Sequence, residues 1–222
     1  MAPPQHGQLT LFDEPKPLTR EEALALLRPQ LGRDLRAHSD AYGLTARGEA
    51  PSNKGWAGLT LERLLGLSPN PEQAPDFGDW ELKSLAVKRD PRGALTLRGN
   101  LTLTMFQPRA LRDEEFERSH LWAKTRRLLI AVRLYESPEE RRSPLIGLAP
   151  FDVSGALADE LKVEYDTLRW LLREQGVAAL SSFRGRLLCV QPRGDSQGWS
   201  FSAQRPFLME ALKGMLCAPL DP

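Results

Sequence analysis

The sequence predicts a mixed α/β or α+β domain built around one central sheet. Two observations carry this reading. Helix-period apolar spacing marks the opening and the later part of the chain, and alternating or continuous apolar runs mark its middle. The order is helices, then several strands, then a helix, a strand and a helix, with no internal repeat.

Residues 1–18 are rich in proline with little periodicity, which predicts a flexible tail ahead of a folded domain over 19–222. Thr19 and Glu22 form a T-x-x-E capping box, and Ala23, Leu24, Leu27 and Leu31 follow at helical spacing. Residues 37–53 are polar and read as a loop. "GWAGLTLERLLGL" predicts a helix with Trp56, Leu59, Leu64 and Leu67 on its apolar side. After the loop "PNPEQAPDFGD", the alternation in "WELKSLAVK" predicts a strand, closed by a turn at Asp90-Pro91-Arg92-Gly93. "ALTLRGNLTLTMF" alternates again and predicts a hairpin broken at Arg98-Gly99-Asn100. A charged helix is expected over roughly 112–126, and "LLIAVRL" reads as a buried strand. Residues 154–175 predict the longest helix, with Leu157, Leu161, Tyr165, Leu168 and Leu172 along one side and Gly176 ending it. "RLLCVQP" is a further strand, and 206–216 a closing helix.

Apolar residues make up 41% of the 222, enough for a globular core. No apolar run approaches the roughly 20 residues that span a bilayer, and no basic stretch precedes an apolar one at the start, so neither membrane insertion nor secretion is expected. Cys189 and Cys217 make no disulfide framework and fit a reducing cytoplasm. The histidines and cysteines show no zinc spacing. The net charge of +1 is not that of a strongly basic nucleic-acid binder. The charge is uneven, however: Arg118, His120, Lys124, Arg126 and Arg127 cluster, and Arg184, Arg186, Arg193 and Arg205 are cationic positions in the last quarter, while "RDEEFE" and "LADELKVEYD" are acidic.

The stretch "PDFGDWELKSL" carries chemistry. On a strand, Glu81 and Lys83 face one side and Leu82 faces the core. Asp76 stands just ahead of that strand and can come alongside Glu81, giving two carboxylates and an ammonium at one point. Such a set suits phosphodiester hydrolysis. Hard oxygen ligands hold Mg²⁺, the metal polarises the phosphoryl oxygen and lowers the pKa of its water, and a lysine offsets charge gathering on the phosphate. By itself D-x(4)-E-x-K also describes a solvated strand edge in a chain with 27% charged residues.

Its surroundings add to it. "NKGWAGLTLERLLG" lies upstream and "SHLWAKTRRLLIAV" downstream. The ordered set, over roughly residues 50–215, resembles the MutH family of DNA mismatch-repair endonucleases and related GATC-cutting restriction enzymes. The resemblance implies a restriction-endonuclease-like PD-(D/E)xK fold, a central mixed sheet flanked by helices with two arms around a DNA cleft. It implies Asp76 and Glu81 as ligands of Mg²⁺, with Mn²⁺ as substitute, and Lys83 as the catalytic lysine. Glu62 matches a family glutamate that approaches the same site, and Lys124 a second lysine near the scissile phosphate. For DNA binding it points to Lys54 in the Lys-Gly-Trp block and to Arg184 and Arg186, expected at a base-reading hairpin tip around Gly185. Ser202 aligns with a tyrosine that senses adenine methylation, so weak discrimination of methylation state is expected. The short gap from Asp76 to Glu81 leaves Asp79 as a competing ligand.

The implied activity is nicking of double-stranded DNA in mismatch repair, in the bacterial cytoplasm at the nucleoid. A mismatch-repair ATPase is the implied activator, and the protein a monomer or transient dimer. Two rivals stand beside it: a type II restriction endonuclease cutting both strands, and an inactive DNA-binding or clamp-associated adaptor.

The tail contains "QLTLF". It resembles the bacterial sliding-clamp-binding pentapeptide Gln-Leu-x-Leu-Phe: Gln8, Leu9, Leu11 and Phe12 fit, and Thr10 takes the tolerant position. An extended peptide on a tail can seat Leu11 and Phe12 in a partner's apolar pocket while Gln8 fixes register. The alternative is that this segment folds back on its own domain as an edge strand or staple.

Overall fold

The structure is a computed structural model and describes residues 17–44, 55–67, 77–137, 139–194 and 198–217. Helix α1 (Arg20–Leu27) begins at the expected capping box: Glu22 N–H donates to Thr19 Oγ1 at 3.2 Å, and Thr19 N–H to the Glu22 carboxylate at 2.8 Å. Helix α2 (Leu35–Ala41) is capped by Asp34, and α3 (Trp56–Leu64) follows. Strands β1 (Glu81–Arg89) and β2 (Leu95–Leu97) are joined by the predicted turn, in which Asp90 Oδ1 accepts from Arg92 N–H and Ala94 N–H. Then come β3 (Leu101–Phe106), α4 (Pro108–Asp113), α5 (His120–Thr125), β4 (Arg127–Leu134) and β5 (Leu145–Asp152). The long α6 (Gly155–Gln175) ends at Gly176, whose φ of +80° is open to glycine and strained for other residues. Strands β6 (Leu188–Pro192) and β7 (Trp199–Ala203), helix α7 (Arg205–Ala211) and the short β8 (Leu216–Cys217) close the described chain.

The central sheet has the order β2-β1-β4-β5-β8. It is mixed, because β1 and β4 are parallel while the other pairs are antiparallel. Alternation along its strands gives it two buried faces. Leu82, Leu129, Ala131 and Leu148 pack against α1, α2 and α3. Leu85, Leu128, Ile130 and Val132 pack on the other side with α5, α6, α7 and a second sheet, β3-β7-β6, which is antiparallel. Helices therefore cover both faces, as a restriction-endonuclease-like fold requires.

Several expectations are corrected. The run 94–106 is not a hairpin. It divides at Arg98–Asn100, sending β2 to the central sheet and β3 to the second one. The charged segment expected as one helix is α4, a 3-10 turn and α5, since Glu114 and Ser119 are in extended conformation. Within 37–53, expected as loop, α2 continues to Ala41 because Asp34 caps it. The closing helix stops at Ala211, and β8 follows. Among the described residues no helix is long and apolar enough to cross a membrane.

Candidate active site

Among the described residues, strand pairing covers one edge of the first half of β1. β4 pairs with it from Glu81 to Val87, whereas β2 pairs only from Val87 to Arg89. Along the edge from Glu81 to Ala86 lies a cleft of about 640 Å³. Helix α3 supplies one wall through Ala57, Gly58 and Glu62, and the crossing from β2 to β3 supplies the other through Arg98, Gly99 and Asn100, with Thr102 of β3.

Glu81 opens β1 and is 1% exposed. Lys83, two residues on and on the same face, donates to Glu81 Oε1. Lys124 approaches from α5, its Nζ 3.3 Å from the same oxygen. Local sequence explains how α5 aims it. Ser119 caps the helix by accepting from Trp122 N–H at 3.1 Å and donates its own hydroxyl to Phe116 O at 2.6 Å. Trp122 packs on Phe116 at 5.1 Å, and Phe116 on Tyr165 of α6 at 5.6 Å. The Ser-His...Lys block is therefore a capped and anchored helical turn that presents Lys124 from its last turn.

Trp56 seats α3 on the sheet. The Arg36 guanidinium lies 4.0 Å from its ring centre and that of Arg133 4.9 Å. Both arginines are held by Glu140, which has a left-handed φ of 42° and presents its carbonyl to Arg36 and its carboxylate to both. The Lys-Gly-Trp region thus ends in a packed helix that carries Glu62 to the cleft.

Glu62, Glu81, Lys83 and Lys124 share this one cleft. Asp76 and Lys54 lie outside the described residues, as do Gln8, Leu9, Leu11 and Phe12. Asp79 is described and stands apart. Its carboxylate pairs with Arg127, which also approaches Asp152 at 3.7 Å. Asp152 in turn accepts from Arg20 at 2.7 and 2.9 Å, and that guanidinium holds the Asp152 carboxyl below the usual carboxylate range. The strand starts at Glu81, so Asp79 does not share its face.

The expected DNA contacts fare differently. Arg184 and Arg186 are not at a hairpin tip. They sit in the loop between a 3-10 helix and β6, where the Glu164 carboxylate accepts the N–H groups of Arg186, Leu187 and Leu188 at 2.6, 2.9 and 2.8 Å. Arg186 pairs with Glu160, and Arg184 donates to the carbonyls of Ser181 and Phe183. Neither lines the cleft. Ser202 is 5% exposed in the middle strand of the second sheet, between Thr102 and Cys189, and does not reach the cleft.

Two cleft residues escaped the sequence reading, Arg98 and Arg133. Each had a signal: Arg98 interrupts an alternating run, and Arg133 is a cation inside the apolar run "LLIAVRL". With them, cations outnumber carboxylates among the described lining residues, which suits an anionic ligand. Glu62 and Glu81 provide hard oxygen donors of the kind Mg²⁺ and Mn²⁺ prefer. Among the described residues no group of three or more histidine, cysteine or acidic side chains is poised for a metal. Glu81 at the start of β1 and Glu62 on α3, lining one cleft, nevertheless fit an ion that keeps most of its waters.

Residues 44–119, about a third of the chain, match the model of the MvaI/BcnI restriction endonuclease family. The matched segment holds Glu62, Glu81, Lys83 and both cleft walls. No curated protein matches the chain. The family match implies a DNA-cleaving hydrolase.

Proposed function

We propose that this chain is an Mg²⁺-dependent DNA endonuclease that nicks one strand in mismatch repair and is brought to its substrate by a sliding clamp. The observation that supports it most is the meeting of Glu81, Lys83, Lys124 and Glu62 in one cleft, three of them within the segment that matches a restriction endonuclease family. The metal would be held by Asp76 and Glu81, with Mn²⁺ as substitute; when bound it polarises the phosphoryl group and acidifies a water. The protein's own groups do the rest. Glu81 is fixed by strand pairing and burial, so its carboxylate is preorganised. Lys83 Nζ, beside Glu81, would donate a hydrogen bond to the attacking water and orient it. Lys124 Nζ offsets negative charge growing on the phosphoryl oxygens. Glu62 fixes water on the α3 side of the cleft.

The second reading, a type II restriction endonuclease cutting both strands, is favoured by the matched family itself. An inactive adaptor fits less well, because the carboxylates and lysines of the cleft are intact. Incubating supercoiled plasmid with the protein and Mg²⁺ separates the three: nicked circles support the proposal, linear product the restriction enzyme, and unchanged plasmid the adaptor. Hemimethylated and unmethylated sites should be cut at similar rates, since Ser202 is buried and carries no ring. The "QLTLF" peptide is the proposed recruiter, activated DNA cutting then requiring a mismatch-repair ATPase at the nucleoid. Calorimetry with the bacterial clamp should show binding on the order of micromolar, lost in a Leu11→Ala, Phe12→Ala double variant. Equal binding by both proteins, or none by wild type, removes the recruitment.

A further inference from the structure

The far wall of the cleft holds a cation with no role so far. Arg98 directly follows β2, the central sheet's edge strand, and its N–H donates to Ala86 O at 3.2 Å, five residues along β1 from Glu81. At about 3.3 Å per strand residue this is roughly 17 Å from Glu81 along the open edge. The Arg98 side chain is exposed, and its guanidinium lies over the Tyr135 ring, 3.7 Å from the centre. Tyr135 is tied down in turn, its N–H donating to Val87 O at 2.7 Å. Stacking on a ring orients a guanidinium and leaves its edge donors available.

Arg98 differs here from Arg133 of the same cleft and from Arg127 and Arg186 elsewhere. Arg133 is held by Glu140, Arg127 by Asp79 and Arg186 by Glu160. Arg98 forms no ion pair with any described residue. Among the described residues it is a positioned cation without an ion pair, on the wall of a cleft whose floor is the part of the β1 edge that β2 does not pair. A cleft along one strand edge suits a sugar-phosphate strand, and a guanidinium fork fits two phosphate oxygens.

We infer that Arg98 is a DNA-backbone contact. It grips a phosphate of the same strand, roughly 17 Å along the edge from the one cleaved beside Glu81. This rests on the endonuclease reading and adds the path of the strand: from Glu81 along the open edge of β1 to Arg98. The contact carries affinity and register, and sequence is read elsewhere.

The test is binding of a duplex containing a mapped nick site, followed by fluorescence anisotropy with Ca²⁺ in place of Mg²⁺ over a salt series. The proteins are wild type, Arg98→Ala, Arg98→Lys and Tyr135→Leu, alongside a duplex of unrelated sequence. Arg98→Ala should weaken binding on the order of tenfold on both duplexes and reduce the salt slope by about one. Arg98→Lys should keep the slope, and Tyr135→Leu should weaken binding without changing it. Single methylphosphonates walked along the strand away from the nick should lower wild-type affinity at one phosphate within roughly 17 Å of it, and Arg98→Ala should be insensitive there. An unchanged slope, a loss confined to one sequence, or sensitivity that persists in Arg98→Ala overturns the contact while leaving the endonuclease reading standing. Failure of the wild type to bind either duplex overturns both.

Discussion

Lys124 Nζ stands 3.3 Å from Glu81 Oε1, although 43 residues of chain separate them. One comes from the last turn of a short helix and the other from the first position of a strand. Their meeting requires the cap at Ser119 and the packing of Trp122 on Phe116, which fix the helix relative to the sheet.

Lys124→Ala should therefore lower the rate of DNA cleavage on the order of a hundredfold by removing a charge aimed at the transition state. The fold should persist, since Lys83 still accompanies Glu81. Single-turnover kinetics and a thermal melt check this. A variant within threefold of the wild-type rate would remove Lys124 from the chemistry.

Asp79→Ala should keep cleavage activity. It breaks a half-exposed pair with Arg127, costing about 1 kcal/mol or less. Asp76→Ala should abolish cleavage with no loss of stability. Comparing both variants in a plasmid assay decides which carboxylate serves the metal; the opposite pattern would transfer that role to Asp79.

Glu164 should matter to the fold and Arg186 to neither fold nor sequence choice. Glu164→Ala strips partners from three backbone N–H groups, two of them in buried residues, and should cost about 3 kcal/mol in urea unfolding. Arg186→Ala removes an exposed pair with Glu160 and should leave the unfolding midpoint near that of wild type. Cleavage of a site and its single-base variants by Arg186→Ala should match wild type. A relaxed preference would restore a base-reading role to Arg186.

The parts of this protein legible from sequence were those written in short-range pattern. The capping box at Thr19 and Glu22, the turn at Asp90, the buried run of β4 and the α6 stripe closed by Gly176 each appear as read. Glu81 and Lys83 share a face because strand alternation allows nothing else. What was missed depends on partners distant in sequence. Strand β5 carries Gly147 and Pro150 and shows no alternation, yet it pairs along the whole of β4. Arg98–Asn100 looks like a hairpin turn, and only the presence of a second sheet makes it a crossing. The Arg-Gly-Arg of 184–186 resembles a reading tip, but Glu164, about twenty residues away, draws its N–H groups into a structural loop. At Gly185 a Cβ would fall 2.4 Å from Glu164 Oε2, so glycine is there for close packing.

The most direct measurement is Mg²⁺-dependent cleavage of supercoiled plasmid by wild type and by Glu81→Gln, with DNA affinity measured in parallel. Glu81→Gln keeps the size of the side chain and removes the charge that a metal would bind, at a position 1% exposed and locked in the sheet. The account predicts cutting by wild type, a loss on the order of a thousandfold in the variant, and unchanged DNA affinity. Wild-type protein inert with both Mg²⁺ and Mn²⁺, or a variant that cuts at the wild-type rate, would contradict it.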